Sequence, residues 1–220
     1  YTPDLNARVA ERLAIESRLR RALERDEFIL HYQPKVDMRT GAIVGLEALI
    51  RWQNPEAGLV PAAPFVTILE ETGLILDAGR WAMQEAVRAG ARMRAAGLAP
   101  GRIAVNVSSI QLRQHDFVRS VEEAIAIADP HGLDLEITES VVMHDIDANV
   151  RKLNEVRAMG VDLAIDDFGT GYSSLAYIAR LPIGVVKIDR SFVSRLTGDG
   201  VSESIVATII SLTHALNRKA

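Results

Sequence analysis

The chain has no cysteine, which excludes disulfides and thiolate-bound metals and fits a reducing compartment. It has no apolar run long enough to span a bilayer, and its start does not read as a signal peptide. It has no surplus of positive charge. Against 25 Lys and Arg stand 29 Asp and Glu, for a formal net charge of −4, which argues against general nucleic-acid binding through a basic surface. The five histidines, His31, His115, His131, His144 and His214, show neither H-x-x-x-H nor H-x-H spacing, which argues against a zinc-type site. No G-x-G-x-x-G follows a strand-like segment, and Ser173–Ser174 lies in no G-x-S-x-G elbow, so a dinucleotide fold and serine hydrolysis both lack support. Low-complexity segments and sequence repeats are also missing.

What remains is an ordinary globular composition, 48% hydrophobic and 25% charged over 220 residues, enough for one large domain or two small ones with a substantial core. Thr2 as N-cap and Pro3 at the first helical position open a helix whose apolar stripe runs through Leu5, Val9 and Leu13 to Ile15, Leu19 and Leu23. A start on Tyr1 rather than Met suggests an excised fragment. Beyond Glu27 the pattern predicts strands at 28–35 (stopped by Pro34), 43–52, 103–108, 133–138, 161–166 and 185–188. Helices are predicted near 63–71, 78–96, 110–128, 147–159, after Ser173, and 202–216. Alternating strands and helices mean βα units and a mostly parallel sheet.

Polar residues sit at the ends of five apolar strand segments: Glu47, Asn106, Glu136 with Glu139, Asp166 with Asp167, and Lys187. An unpaired buried charge is costly, so such groups neutralise, pair or hold a metal. Carboxylate and amide oxygens brought together from several strands suit a hard cation. A barrel gathers the C-terminal ends of all its strands at one mouth, which favours it over an open doubly wound sheet. Glu47, Asn106, Glu136 and Asp166 are candidate ligands of one divalent ion. Asp167, pointing the other way if the pleat continues, is a candidate for a second. Lys187 would balance the acids and hold a nucleophilic water or a phosphate oxygen. Two such ions activate a water and brace the attacking and leaving oxygens of a phosphodiester. Arg51, four residues past Glu47, is placed to meet a phosphate. Trp52 and Trp81 read as core or rim aromatics, and His31 as a satisfied core histidine.

The runs Glu47–Ala48–Leu49–Ile50–Arg51–Trp52, Asn106–Val107–Ser108, Glu136–Ile137–Thr138–Glu139, Asp166–Asp167–Phe168–Gly169–Thr170–Gly171–Tyr172–Ser173–Ser174–Leu175 and Lys187–Ile188–Asp189 resemble, in order and spacing, the EAL domain family of bacterial cyclic di-GMP phosphodiesterases. The resemblance covers roughly Leu19 to the last residue. It implies a modified TIM-like (β/α)8 barrel with an antiparallel first strand. It also implies two Mg²⁺ or Mn²⁺ ions, with Ca²⁺ inhibitory, and hydrolysis of cyclic di-GMP to linear pGpG by a metal-activated water. Carried over residue by residue, Glu47, Asn106, Glu136 and Asp166 become first-metal ligands. Asp167 becomes a second-metal ligand and Lys187 orients the water. Glu139 anchors the loop after Asp167, which couples metal binding to homodimer contacts with the adjacent helix. Gln33, Leu49, Arg51 and Asp189 become contacts to the dinucleotide. Residues 1–18 resemble the linker that follows a GGDEF domain in tandem cyclases. The resemblance therefore implies an upstream GGDEF or sensor domain, a barrel domain over 19–220, no membrane contact by this domain, and a cytoplasmic location even where the parent chain is membrane-tethered. In the family a strand carrying an E-G-V-E glutamate and a last strand with Gln-Gly follow the helix that ends here near Leu216. Neither is present, so the last two strands are absent from this sequence. The alternatives are an inactive cyclic di-GMP receptor and a barrel isomerase using a metal with Lys187 as base.

Overall fold

The computed structural model describes residues 3–128, 132–142, 145–170, 175–196 and 200–220. Thr2, His131, His144 and Ser173–Ser174 lie outside them. The chain opens with α1 (Pro3–Glu24), whose last turns bury Leu19 and Ala22 completely. The helix runs unbroken past residue 18. Next comes a hairpin of β1 (Phe28–Val36) and β2 (Ile43–Asn54), antiparallel as expected. Its turn is set by Asp37, whose carboxylate accepts from Thr40 N at 2.8 Å and Arg39 N at 3.0 Å, with Gly41 in the left-handed region.

The sequence predicts that Pro34 stops β1. The strand instead continues through Pro34 to Val36, with Pro34 opposite Leu46. Among the described residues β1 pairs on one side only, with β2, and on an unpaired side a missing N–H costs no ladder bond.

A short β3 (Gly58–Val60), not foreseen from the sequence, pairs with the end of β2. Then follow α2 (Ala63–Thr72), α3 (Ile75–Ala95), β4 (Arg102–Val107), α4 (Ser109–Arg113), α5 (Phe117–Ile125), β5 (Leu133–Thr138), α6 (Glu139–Val142), α7 (Ile146–Ala158), β6 (Asp162–Phe168), α8 (Leu175–Arg180), β7 (Val185–Ile188), α9 (Arg190–Val193) and α10 (Gly200–Ala215). The helix predicted over 110–128 is two helices. Ser108 and Gln111 form a capping box that starts α4, and Gln114 turns to ψ 143°. Lys152 Nζ donates to the carbonyls of Leu112 and Gln114 at 2.8 and 2.6 Å, which satisfies the break from outside. Gly73 in the left-handed region ends α2, so α3 starts three residues earlier than expected.

The sheet order is β1-β2-β4-β5-β6-β7, with parallel pairing from β2 onward. Alternate residues of the strands face outward onto the helices: Ile103, Val105 and Val107, Leu133, Leu135 and Ile137, Leu163 and Ile165, all buried. Each large aliphatic side chain so buried contributes about 1.5–3 kcal/mol. The other set faces the hollow of the sheet and includes the small residues Gly45, Ala104 and Ala164 beside polar and charged ones. A second apolar cluster joins α1 to the β1–β2 hairpin and α2. There Phe28 stacks on Phe65 at 5.6 Å and Trp52 meets Phe65 edge-on at 6.2 Å. Trp52 is buried in this second cluster, and Trp81, half-buried, packs against both clusters. Among the described residues β1 and β7 do not pair with each other. Lys219 forms one parallel bridge to Val185 at the outer edge of β7. No described helix is long and apolar enough to cross a membrane.

Tyr32 shows how the pleat separates the two faces. Its ring lies on the helix side, where burial, then the charge of Glu85, pushes the phenol from 10.0 up to about 12. The folded chain keeps a proton that the unfolded chain loses above pH 10, so this group makes stability fall as pH rises from about 10 toward 12. Phenolate absorbance should show a step near pH 12 that disappears in Tyr32→Phe.

Candidate metal and substrate site

Four parallel strands carry a polar side chain near their C-terminal ends on the hollow face, and the second strand of the hairpin carries one near its middle. β2 supplies Glu47, β4 Asn106, β5 Glu136, β6 Asp166 and β7 Lys187. Register pairs Asn106 with Glu136 and staggers the rest by two residues: Glu47 is opposite Ala104, and Asp166 is opposite Thr138. Carboxylate oxygens of Glu47, Glu136 and Asp166 lie within 4.8 Å of one another. The Lys187 ammonium donates to all three, at 3.1 Å to Glu47 Oε2, 2.5 Å to Glu136 Oε2 and 2.7 Å to Asp166 Oδ2. β2 and β7 are separated by three strands in the sheet order. A 3.1 Å contact between their side chains therefore means that the sheet curls into a wall around one mouth. Asn106 Nδ2 donates to Glu47 Oε1 at 3.0 Å, fixing the second oxygen of that carboxylate. Behind Asn106, buried Gln111 fits only because residue 79 is glycine. A Cβ there would come within 2.0 Å of Gln111 Nε2.

The electrostatics follow from burial. Glu136 is 1% exposed, and burial pushes its carboxyl upward. Lys187 opposes the rise, Glu47 adds to it and Lys35 opposes it. Burial also pulls Lys187 down, but Glu136, Asp166 and Glu47 outweigh that and hold it above the ordinary lysine range.

Three carboxylates and an amide are hard oxygen donors. Opposite ligands of a Mg²⁺ or Ca²⁺ ion stand about 4–5 Å apart, so the 4.8 Å spread of the carboxylate oxygens fits one divalent ion.

Asp167 departs from a simple pleat. The β6–β7 register shifts between Ile165 and Phe168, and Asp167 adopts φ 53°, a left-handed conformation that is unusual outside glycine. Its carboxyl is raised by burial, then by Asp166 and by Asp189, with which it shares a hydrogen bond. Asp167 and Asp189 thus form an acidic pair beside the first cluster. Asp189 also caps α9 by accepting from Ser191 N at 2.8 Å. Glu139, 3% exposed, accepts from Gly169 N at 3.0 Å and so ties α6 to the turn after Asp167. Gly169 has φ +100°, and a Cβ there would meet Phe192 at 3.0 Å and Ile209 at 3.2 Å. The rest of the loop, residues 171–174, lies outside the described residues.

The expected dinucleotide contacts are less gathered. Gln33 is exposed and pairs with Glu47, and Leu49 is half-buried two residues on. Arg51 turns its guanidinium to its own strand, donating to Ile50 O at 2.8 Å. His31, read from sequence as a core histidine, is exposed opposite Leu49, because the hollow face of β1 near the mouth is open to water. Lys35, one turn of the pleat below Gln33, was not foreseen at the site. Its lysine in an alternating strand reads as a solvated face, yet its ammonium stands 3.5 Å from Glu136 Oε1.

The family model described as the EAL domain matches residues 16–220. The chain belongs to the EAL domain family. Among curated relatives, EAL domain and all, the Pseudomonas aeruginosa bifunctional diguanylate cyclase/cyclic di-GMP phosphodiesterase MucR is 43% identical over the whole chain, which covers 32% of that protein. The Escherichia coli cyclic di-GMP phosphodiesterase PdeR is 39% identical over 99% of the chain, covering 33% of that protein. The chain thus spans about a third of the length of these relatives. Among solved structures, a MucR phosphodiesterase in complex with c-di-GMP superposes with a TM-score of 0.89 at 43% identity, over 93% of this chain and 84% of that one. These EAL structures carry the TIM-like barrel to which the present sheet corresponds.

Proposed function

We propose that the chain is the EAL domain of a longer protein and hydrolyses cyclic di-GMP to linear pGpG. The observation that carries this is the convergence of Glu47, Glu136 and Asp166 with Lys187 at one mouth. The names of the relatives support the same substrate. Glu47, Asn106, Glu136 and Asp166 would hold one Mg²⁺ or Mn²⁺ ion, with Asp167 assigned to a second. The ions would supply Lewis-acid activation of water and neutralise phosphoryl charge. Lys187, charged across the working pH range, holds the attacking water or a phosphate oxygen in line. Asn106 keeps Glu47 turned to the mouth. Glu139 keeps the backbone after Asp167 in place. Gln33, Leu49, Arg51 and Asp189 line the approach for the dinucleotide. Arg51 needs only a rotamer change to exchange its own backbone carbonyl for a phosphate oxygen.

The proposal extends to organisation. Residues 1–18 connect an upstream GGDEF or sensor domain to a catalytic body over 19–220, in a cytoplasmic setting. Homodimer contacts are made through the loop after Asp167.

The test is calorimetric titration of the full-length protein with cyclic di-GMP in Ca²⁺, followed by product analysis in Mg²⁺. Tight binding in Ca²⁺ and release of pGpG in Mg²⁺ are expected. Binding without any cleavage would replace the enzyme by a receptor.

A further inference from the structure

We propose that Lys35 is a positioning residue that grips Glu136 from inside the barrel, and that Gly45 makes the room for it to do so. The inference rests on the cation-dependent reading above. β1 and β5 are separated by β2 and β4 in the sheet, so Lys35 reaches Glu136 across the hollow and not along a ladder. Its ammonium stands 3.5 Å from Glu136 Oε1 and 3.9 Å from Asp134 Oδ2. The other Glu136 oxygen, Oε2, accepts from Lys187 at 2.5 Å. One buried carboxylate is thus held at both oxygens, from the mouth by Lys187 and from the floor by Lys35.

Two further observations point to the same device. Gly45 is the Cα partner of Lys35. A Cβ on Gly45 would lie 3.1 Å from Lys35 Cε and 2.9 Å from Arg102 O, so a side chain there would crowd the lysine stem off its course. Asp134 is meanwhile paired with Arg102, which also reaches Asp162 at 3.6 Å and donates to Leu133 O and Gly160 O at 2.7 and 2.8 Å. With Asp134 so occupied, the shorter of the two Lys35 contacts is the one to Glu136.

A carboxylate held at one oxygen only can rotate and offer a cation the wrong geometry. Loss of an outer partner of a metal ligand costs about 10–100-fold in metal affinity or activity. Removing a positive charge works in the opposite direction, since it favours a cation electrostatically. Lys35, however, stands against Oε1, while Oε2 is the oxygen that meets the Lys187 ammonium shared with Glu47 and Asp166, so the loss of order is expected to outweigh the change of charge.

The experiment uses the full-length protein and its Lys35→Met and Lys35→Arg variants. Mn²⁺ binding is read from the electron paramagnetic resonance of the free ion, and kcat and KM for cyclic di-GMP are measured at saturating Mn²⁺. Lys35→Met should bind Mn²⁺ about tenfold or more weakly and lose kcat, while KM changes less than about twofold, as expected of a residue that acts through Glu136. Lys35→Arg should recover most of both losses. Thermal melting checks folding, and Lys35→Gln is read instead if the Met variant does not fold. Mn²⁺ affinity in Lys35→Met equal to or tighter than the parent's, with the parent binding Mn²⁺ and turning over, overturns the role of Lys35. A parent that binds no Mn²⁺ overturns the cation reading beneath it.

Discussion

Glu47→Ala loses cyclic di-GMP turnover by about 100-fold or more, while its thermal midpoint stays within about 5 °C of the parent. The magnitude comes from position. Outer partners of metal ligands already cost 10–100-fold when removed, and Glu47 is one of the three carboxylates of the cluster itself. The small effect on the fold follows from exposure. The Glu47 side chain is partly solvated, and the Lys187 ammonium retains Glu136 and Asp166 when Glu47 is gone. Alanine and glutamate are alike in their modest strand propensity, and a change of about 1 kcal/mol moves the midpoint of a chain this size by only about 2–4 °C. Steady-state rates in Mg²⁺ beside a melting curve measure both quantities. Normal hydrolysis by Glu47→Ala would remove it from the cation site.

Lys187→Met should do the reverse and damage stability before chemistry is considered. It leaves three carboxylates within 4.8 Å without their shared ammonium, one of them 1% exposed. Removing one partner of a buried ion pair costs about 3–5 kcal/mol, or on the order of 10 °C in this size range. The carboxylates are then short of positive charge, so Mg²⁺ or Ca²⁺ should raise the melting point of the variant by more than it raises that of the parent. Melting curves in chelator and in millimolar cation test this. A variant as stable as the parent in chelator, or one indifferent to cation, contradicts the shared-ammonium description. The pH dependence has a defined sign. Because the carboxylates hold Lys187 above its ordinary 10.5, its contribution is complete below that pH and is lost as pH rises through the folded value. Lys187→Met should lack this alkaline component.

Much of this was legible in the sequence, for a physical reason. Strands buried on both faces read as apolar runs, so Glu47, Glu136, Asp166 and Lys187 stand out against Ile, Leu and Val and announce a paired or ligating role. Features set by distant parts of the chain were not legible. The break at Gln114 depends on Lys152, almost forty residues later. The passage of β1 through Pro34 depends on that strand pairing, among the described residues, on one side only. The exposure of His31 and the inward reach of Lys35 depend on the curl of the sheet, which no local pattern encodes. Asp167 was expected to alternate with Asp166, and the bulge that turns it toward Asp189 shows only when β6 is laid against β7.

The curl itself has a thermodynamic corollary. Side chains from β2 and β7, far apart along the ladder, meet in one charge cluster, so whatever binds there also fastens one end of the sheet to the other. By mass action a ligand present at a hundred times its Kd adds about 2.7 kcal/mol to the form that binds it. A divalent cation bound at the cluster would in this way tune how tightly the wall is clasped.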